Sequence, residues 1–237
     1  MSDFFRDLNK SINADGNIFL ADDANSSAEF AGSIDTGSYI LNAAFSGSLY
    51  GGVPNNKITT FAGESATGKT FFVLGLVKKF LDDNPTGGVY YFDTEAAVTT
   101  DMMRKRGIDT KRVSIGETIS IQEFRTLVLR VLDNYIGRDD KPPMLIVLDS
   151  LGQLSSSKEL EDSTDGKETR DMTKSQLLKA TFRVLNLKLA KAKVPLLITN
   201  HVYDVIGAYM PTKEMSGGSG LKYASSQICY LSKRKEK

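Results

Sequence analysis

Gly63-Glu64-Ser65-Ala66-Thr67-Gly68-Lys69-Thr70 is the octapeptide whose residue types and spacing most clearly serve a chemistry. It satisfies G-x-x-x-x-G-K-[ST] at every fixed position. A triphosphate needs several N–H donors turned inward, and a glycine-containing loop ahead of a helix supplies them. Gly63 and Gly68 allow backbone conformations and close approaches that a side chain would block. Lys69 can reach the β- and γ-phosphates, and the Thr70 hydroxyl can ligate Mg2+. A short strand is expected before the loop and the apolar helix start Phe71-Phe72-Val73-Leu74 follows it, a context that a chance glycine-rich turn would lack.

Three further groups could complete the site. Asp149 closes the apolar run Met144–Leu148, where an acid at a buried strand end can share the Mg2+ shell with Thr70. The bland alternative for such an Asp is a turn or helix cap. Asp93-Thr94-Glu95 follows the run Gly88–Phe92. Glu95 can orient or deprotonate an attacking water if its strand lies beside the one ending at Asp149; otherwise it is a solvated acidic turn. Thr199-Asn200-His201 ends the run Leu196–Thr199. His201 is the single histidine, and a lone histidine is more often a structural hydrogen-bonder than a catalyst. Its place ahead of a Gly-rich stretch would also let it feel a γ-phosphate and pass that state to a loop.

Positioning these groups requires alternating strands and helices. The pattern predicts strands at Lys57–Phe61, Gly88–Phe92, Arg112–Ile115, Met144–Leu148, Leu196–Thr199 and Ile228–Leu231. It predicts helices at Lys69–Leu81, Thr99–Arg106, Ile121–Ile136 and Asp171–Ala192. Short apolar strands between helices mean an α/β fold with a mostly parallel central sheet and helices on both faces. Gln153–Arg170 and Tyr203–Gly220 fit no regular element. Both follow strand ends, where ligands of open parallel sheets bind. Residues 1–33 read as a polar, acidic arm carrying six acids and two bases, with a short helix at Phe4–Lys10. Residues 34–237 read as the core. The chain stops straight after a strand, so a C-terminally truncated core is expected.

Composition narrows the class. The 237 residues are 41% apolar and 25% charged, enough to bury a sizeable core. Thirty basic against 29 acidic residues leave a net charge of +1, which excludes nucleic-acid binding by bulk charge and requires a local patch. Cys229 is the single cysteine, so neither an intramolecular disulfide nor a cysteine-based metal site can form. The start MSDFFRDLNK lacks a signal pattern and no apolar run approaches the ~18 residues of a membrane span, so no membrane association and a cytoplasmic location are expected.

Taken together, these segments resemble the RecA-type recombinase family over about residues 33–232. Ile34-Asp35-Thr36-Gly37-Ser38 is similar to the family's first core strand, and Gly63–Thr70 to its Walker A. Tyr91-Phe92-Asp93-Thr94-Glu95 resembles the segment ending in its catalytic glutamate, and Arg104–Asp109 follows at the family's distance. Leu148-Asp149-Ser150-Leu151 resembles Walker B, and Ser216–Tyr223 the end of the second DNA loop. Asp149-Ser150-Leu151-Gly152, Lys158-Glu159 with Glu161-Asp162, Asp171–Lys174 and Asn200-His201 are closest to the UvsX branch of T4-like phages, which would place the chain in a host cytoplasm.

The resemblance implies a RecA-like P-loop ATPase core using ATP and Mg2+, with Lys69, Glu95 and His201 as catalytic residues. Glu95 becomes the water-activating base and His201 the γ-phosphate sensor. Partners implied are single-stranded DNA, homologous duplex DNA and further copies of the chain in a filament, with recombination mediator and single-strand-binding proteins as candidates. Gln153–Arg170 and Tyr203–Gly220 become the DNA loops. There Lys167, Arg170, Lys174, Lys213 and Lys222 could neutralise phosphates, and Tyr203, Tyr209 and Met210 could wedge against bases. A charged, mobile surface is the alternative for these loops. Met102 stands where the family often places an aromatic over adenine. Members of the family continue beyond the length of this chain, and residues 1–33 show no Phe-x-x-Ala polymerisation motif. Other expectations remain open: a ring helicase or repair ATPase, or a truncated, non-catalytic nucleotide-binding module. Replacing Lys69 with Ala should abolish nucleotide binding or turnover; unchanged hydrolysis would remove the phosphate-loop assignment.

Overall fold

Short apolar strands cannot leave either face wet, so they must be sandwiched between helices. The computed structural model has this architecture and describes residues 2–12, 18, 20–21, 27–166, 173–204 and 213–233. Helix α1 (Ser2–Ile12) belongs to the arm. A small antiparallel ladder, β1 (Ser33–Ile34) with β2 (Val53–Pro54), brackets α2 (Tyr39–Ser46). The chain continues as β3 (Ile58–Gly63), α3 (Lys69–Asp83), β4 (Gly88–Asp93), α4 (Thr100–Lys105), β5 (Val113–Gly116), α5 (Ile121–Ile136) and β6 (Met144–Asp149). Then come α6 (Ser157–Thr164), α7 (Lys174–Ala192), β7 (Leu196–Asp204), β8 (Lys213–Met215), α8 (Ser219–Ala224) and β9 (Gln227–Leu231).

The main sheet runs β5-β4-β6-β7-β3-β9, parallel throughout, with β8 added antiparallel to the end of β7. β3 and β4 are successive in the chain, yet β6 and β7 lie between them. That separation opens a crevice above the carboxyl ends of β3, β7, β6 and β4. Register aligns those ends: Gly63 pairs with His201, and Asp93 with Asp149.

Side-chain alternation divides the core in two. Phe92, Ile146, Leu148 and Ile198 face α5 and α7, packing on Phe124, Val128, Phe182 and Leu185. Phe61, Tyr91, Val147 and Leu197 face α3 and its Val73, Leu74 and Val77. α5 illustrates how local chemistry and packing agree. The Ser120 hydroxyl accepts the Glu123 N–H at 3.1 Å, and Phe124, Val128 and Leu132 recur every fourth residue on the buried side.

The structure departs from the sequence reading in three places. Within Gln153–Arg170, a helix forms at α6. Its strength lies in a capping box: the Ser156 hydroxyl accepts the Glu159 N–H at 3.1 Å and the Ser156 N–H reaches Glu159 Oε2 at 3.0 Å. Apolar periodicity is blind to such a helix. Within Tyr203–Gly220, β7 runs on to Asp204, β8 folds back with Val202 opposite Met215, and α8 starts at Ser219. The third is α2, which ends where Gly47 turns left-handed (φ 73°). Its buried Asn42 accepts the Thr36 N–H at 2.9 Å and donates to Asp35 at 2.7 Å and to the Leu49 carbonyl at 3.1 Å, fixing the approach to β2. The last part of the acidic arm is held too, since Asn56 donates to the Ser27 and Glu29 carbonyls at 3.0 and 2.8 Å.

Leu185 is fully buried between α7 and the sheet, whereas Leu187 is 55% exposed on the same helix. Leu185→Ala should cost about 2–5 kcal/mol in urea unfolding. Leu187→Ala should stay within about 0.5 kcal/mol of the parent.

Candidate nucleotide-binding site

β3 delivers the chain to the crevice at Gly63, where only glycine fits. A Cβ there would lie 2.6 Å from both the Leu231 carbonyl oxygen and Thr67 Oγ1. The loop then turns through Ala66 (φ 56°) and Gly68 (φ 90°), both left-handed. This alternation turns successive N–H groups to one side, forming an anion nest at the positive end of α3. Gly68 is the N-cap and no side chain caps the helix, so the first N–H groups of α3 keep their donors for a ligand. Lys69 is only 7% exposed. Its ammonium folds back onto the Gly63 and Glu64 carbonyls, at 3.0 and 2.8 Å. Burial pulls its pKa below the ordinary lysine range, and the Glu95 and Asp149 carboxylates oppose that pull. A cation and inward N–H donors in one concave loop suit a polyphosphate. The residues present therefore fit a nucleotide.

Beside the loop, β6 ends in Asp149, 4% exposed. The Tyr91 hydroxyl donates to its Oδ2 at 2.7 Å, and the Thr199 hydroxyl donates to its Oδ1. These two donors come from β4 and β7, the strands on either side. The Tyr91 hydroxyl is driven far above the ordinary tyrosine range, by burial first and by the Asp149 carboxylate next. It stays protonated and can act as the donor. Thr70 on the first turn of α3 and Asp149 are the residues suited to a nucleotide-bound Mg2+.

The ends of β4 and β6 are stitched together. The Thr94 N–H donates to the Asp149 carbonyl at 2.8 Å, the Ser150 N–H to Thr94 Oγ1 at 2.8 Å, and the Thr94 hydroxyl to the Ser150 carbonyl at 2.8 Å. Asp93 accepts the Glu95 and Val98 N–H groups at 3.1 and 2.8 Å, so it shapes the turn. This frame sets Glu95 beside the end of β6. Glu95 Oε1 accepts the Ser150 hydroxyl at 2.7 Å and lies 3.0 Å from His201 Nε2. Burial pushes the Glu95 carboxyl up, but the bonds from His201 and Ser150, with the charges of His201 and Lys69, outweigh it and hold the pKa low. His201 also touches the second loop region. Its carbonyl accepts the Ser216 N–H at 2.9 Å, and Asn200 donates to the Ser216 carbonyl at 2.9 Å.

Of the sequence-predicted residues, the structure gathers Gly63–Thr70, Glu95, Asp149 and His201 into one crevice. Met102, on the first turn of α4, is half-buried against the core on the α3 side. Lys167, Arg170, Tyr209 and Met210 lie outside the described residues. Tyr203 and Lys222 are exposed. Two lysines assigned to DNA hold partners within the chain: Lys174 pairs with Glu159 at 3.1 Å, and Lys213 with Glu64 of the phosphate loop. Sequence reasoning missed Tyr91, Thr94, Ser150 and Thr199. For Tyr91 and Thr199 the one available signal was a hydroxyl-bearing residue inside an apolar strand run, which names no partner, and Thr94 and Ser150 offered only their places just past strand ends.

A phosphate loop between a parallel strand and a helix, with acids on the neighbouring strand ends, defines a P-loop nucleotide-binding domain. The model of the RecA N-terminal domain family matches residues 3–236, and the chain belongs to that family. It is 30% identical to the recombination and repair protein of Enterobacteria phage T4 over 198 residues, covering 84% of this chain and 49% of that protein. It is 26% identical to RecA of Malacoplasma penetrans, covering 81% of this chain and 55% of the relative. RecA of Fusobacterium nucleatum is 29% identical, with coverage of 82% and 48%. The chain thus spans about half the length of these relatives. Among the described residues, no helix is long and apolar enough to cross a membrane.

The Glu95 contacts carry a pH signature. A carboxyl with a lowered folded pKa stabilises the fold above its unfolded pKa, and that contribution is lost as pH falls through the folded value. As pH falls through the ordinary glutamate value of 4.5 and below, the melting temperature of the parent should therefore fall more than that of Glu95→Gln. Parallel curves would mean that Ser150 and His201 do not hold the charged form.

Proposed function

We propose that this chain is the ATP-hydrolysing core of a DNA recombinase. It binds single-stranded DNA in a filament of its own copies, and promotes homologous pairing and strand exchange with duplex DNA. The observation that carries this reading is the Ser150–Glu95–His201 cluster. One carboxylate at the edge of the phosphate cradle contacts His201, whose backbone carbonyl holds the N–H of Ser216 just after β8. A nucleotide-dependent shift at Glu95 thereby has a direct route to the loop that would touch DNA. The names of the relatives, recombination and repair protein and RecA, support the same reading.

Chemistry at the crevice follows from the side chains. Lys69 exchanges the Gly63 and Glu64 carbonyls for phosphate oxygens, while the N–H groups of residues 66–70 hold the rest of the phosphate chain. Thr70 and Asp149 would hold the Mg2+, which supplies charge neutralisation to the phosphates. Among the described residues, Ser150 and His201 both meet Glu95 at Oε1, so Oε2 can orient the attacking water and take its proton. His201, 17% exposed, is placed to exchange Glu95 for a γ-phosphate oxygen. Exposed Phe4, Phe5, Leu8 and Ile12 on α1 offer an apolar surface suited to a neighbouring copy.

The direct test is ATP hydrolysis with and without single-stranded DNA. Stimulation by DNA is expected, and DNA affinity should fall steeply with salt because it rests on phosphate contacts. Glu95→Gln should keep ATP binding and slow hydrolysis by about 10²- to 10⁴-fold. Hydrolysis indifferent to DNA, or an intact rate in Glu95→Gln, would overturn the corresponding assignment.

A further inference from the structure

A carboxylate meant to serve a cation is usually oriented by groups that never touch the ion. Asp149 has such support on both oxygens. Tyr91 lies on β4 and Thr199 on β7, and the β4–β6–β7 register points both side chains to the α3 face that Asp149 also occupies. Tyr91 is fully buried, and its ring fills the core beneath the crevice against Val147 and Leu145. Only its hydroxyl reaches the site, 2.7 Å from Asp149 Oδ2. A phenylalanine would fill the same core volume, so packing does not account for the hydroxyl.

We propose that Tyr91 is a positioning residue for the cation site: its hydroxyl, opposed by that of Thr199, fixes the rotation of the Asp149 carboxylate toward the phosphate loop. This deepens the ATP and Mg2+ reading above and rests on it. A hydroxyl donor orients the carboxylate without bringing the positive charge that a lysine or arginine would set in competition with a cation. Two donors on opposite oxygens leave the carboxylate one orientation, with its remaining lone pairs available to a cation shell.

The test is Tyr91→Phe, read by the electron paramagnetic resonance signal of Mn2+ retained by the protein in the presence of ADP. The variant should hold Mn2+ about tenfold more weakly than the parent. ADP affinity without metal and the circular dichroism spectrum should be unchanged. Equal Mn2+ affinity in the two proteins would overturn the positioning role, as would an equal loss of metal-free ADP affinity, which marks general damage. If the parent itself retains no ADP-dependent Mn2+, the ATP and Mg2+ reading fails first, and the role of Tyr91 falls with it. Thr199→Val should weaken Mn2+ in the same sense, because it removes the opposing donor from Asp149.

Discussion

A carboxyl group with 4% exposure needs hydrogen-bond donors in place of water, and Asp149 finds them on the two strands flanking its own. Satisfying both oxygens from β4 and β7 requires the three strands to hold one register. That register also sets Asp93 beside Asp149, and the pairing of β7 with β3 places His201 beside Gly63. The crevice is thus a by-product of strand alignment. Displacing β6 by one residue would turn Asp149 to the opposite face, away from Tyr91, Thr199 and the phosphate loop.

Strand ends provide positions, and the short segments after them provide chemistry. After β3 the backbone becomes an anion nest, with Lys69 folded into it. After β4, Asp93 and Thr94 spend their polar atoms on the turn, which leaves Glu95 to face the site. After β6, Ser150 donates to Glu95 from a peptide bond that is cis to Asp149. The first two steps use side chains to satisfy backbone groups that the end of a strand would otherwise leave unpaired.

The two candidate DNA loops are held by different contacts, and only the second is tied to this site. On one side, Glu159 caps α6 and also pairs with Lys174 at the start of α7. On the other, Ser216 is tied to His201 and Asn200, while Lys213 reaches back to Glu64. Lys213 and Glu64 are both largely exposed, so their pair contributes little stability, but it sets where the ammonium rests. The firmer link runs through backbone bonds at His201.

Much of the site was legible in the sequence because its chemistry depends on contiguous residues. The phosphate loop needs fixed spacing between Gly63, Gly68, Lys69 and Thr70, and the apolar strand runs announce their own polar ends at Asp93, Asp149 and Asn200. The helices α3, α5 and α7 carry apolar spacing strong enough to be read directly. α2 and α6 do not, since the buried Asn42 and the Ser156–Glu159 capping box are polar devices with no period. Which hydroxyl meets which carboxylate was decided only by the tertiary structure. Tyr91 and Asp149 are separated by 58 residues, Ser150 and Glu95 by 55, and Glu95 and His201 by 106. Such partners are set by strand order and register, and those follow from burying both faces of the sheet at once rather than from any local pattern.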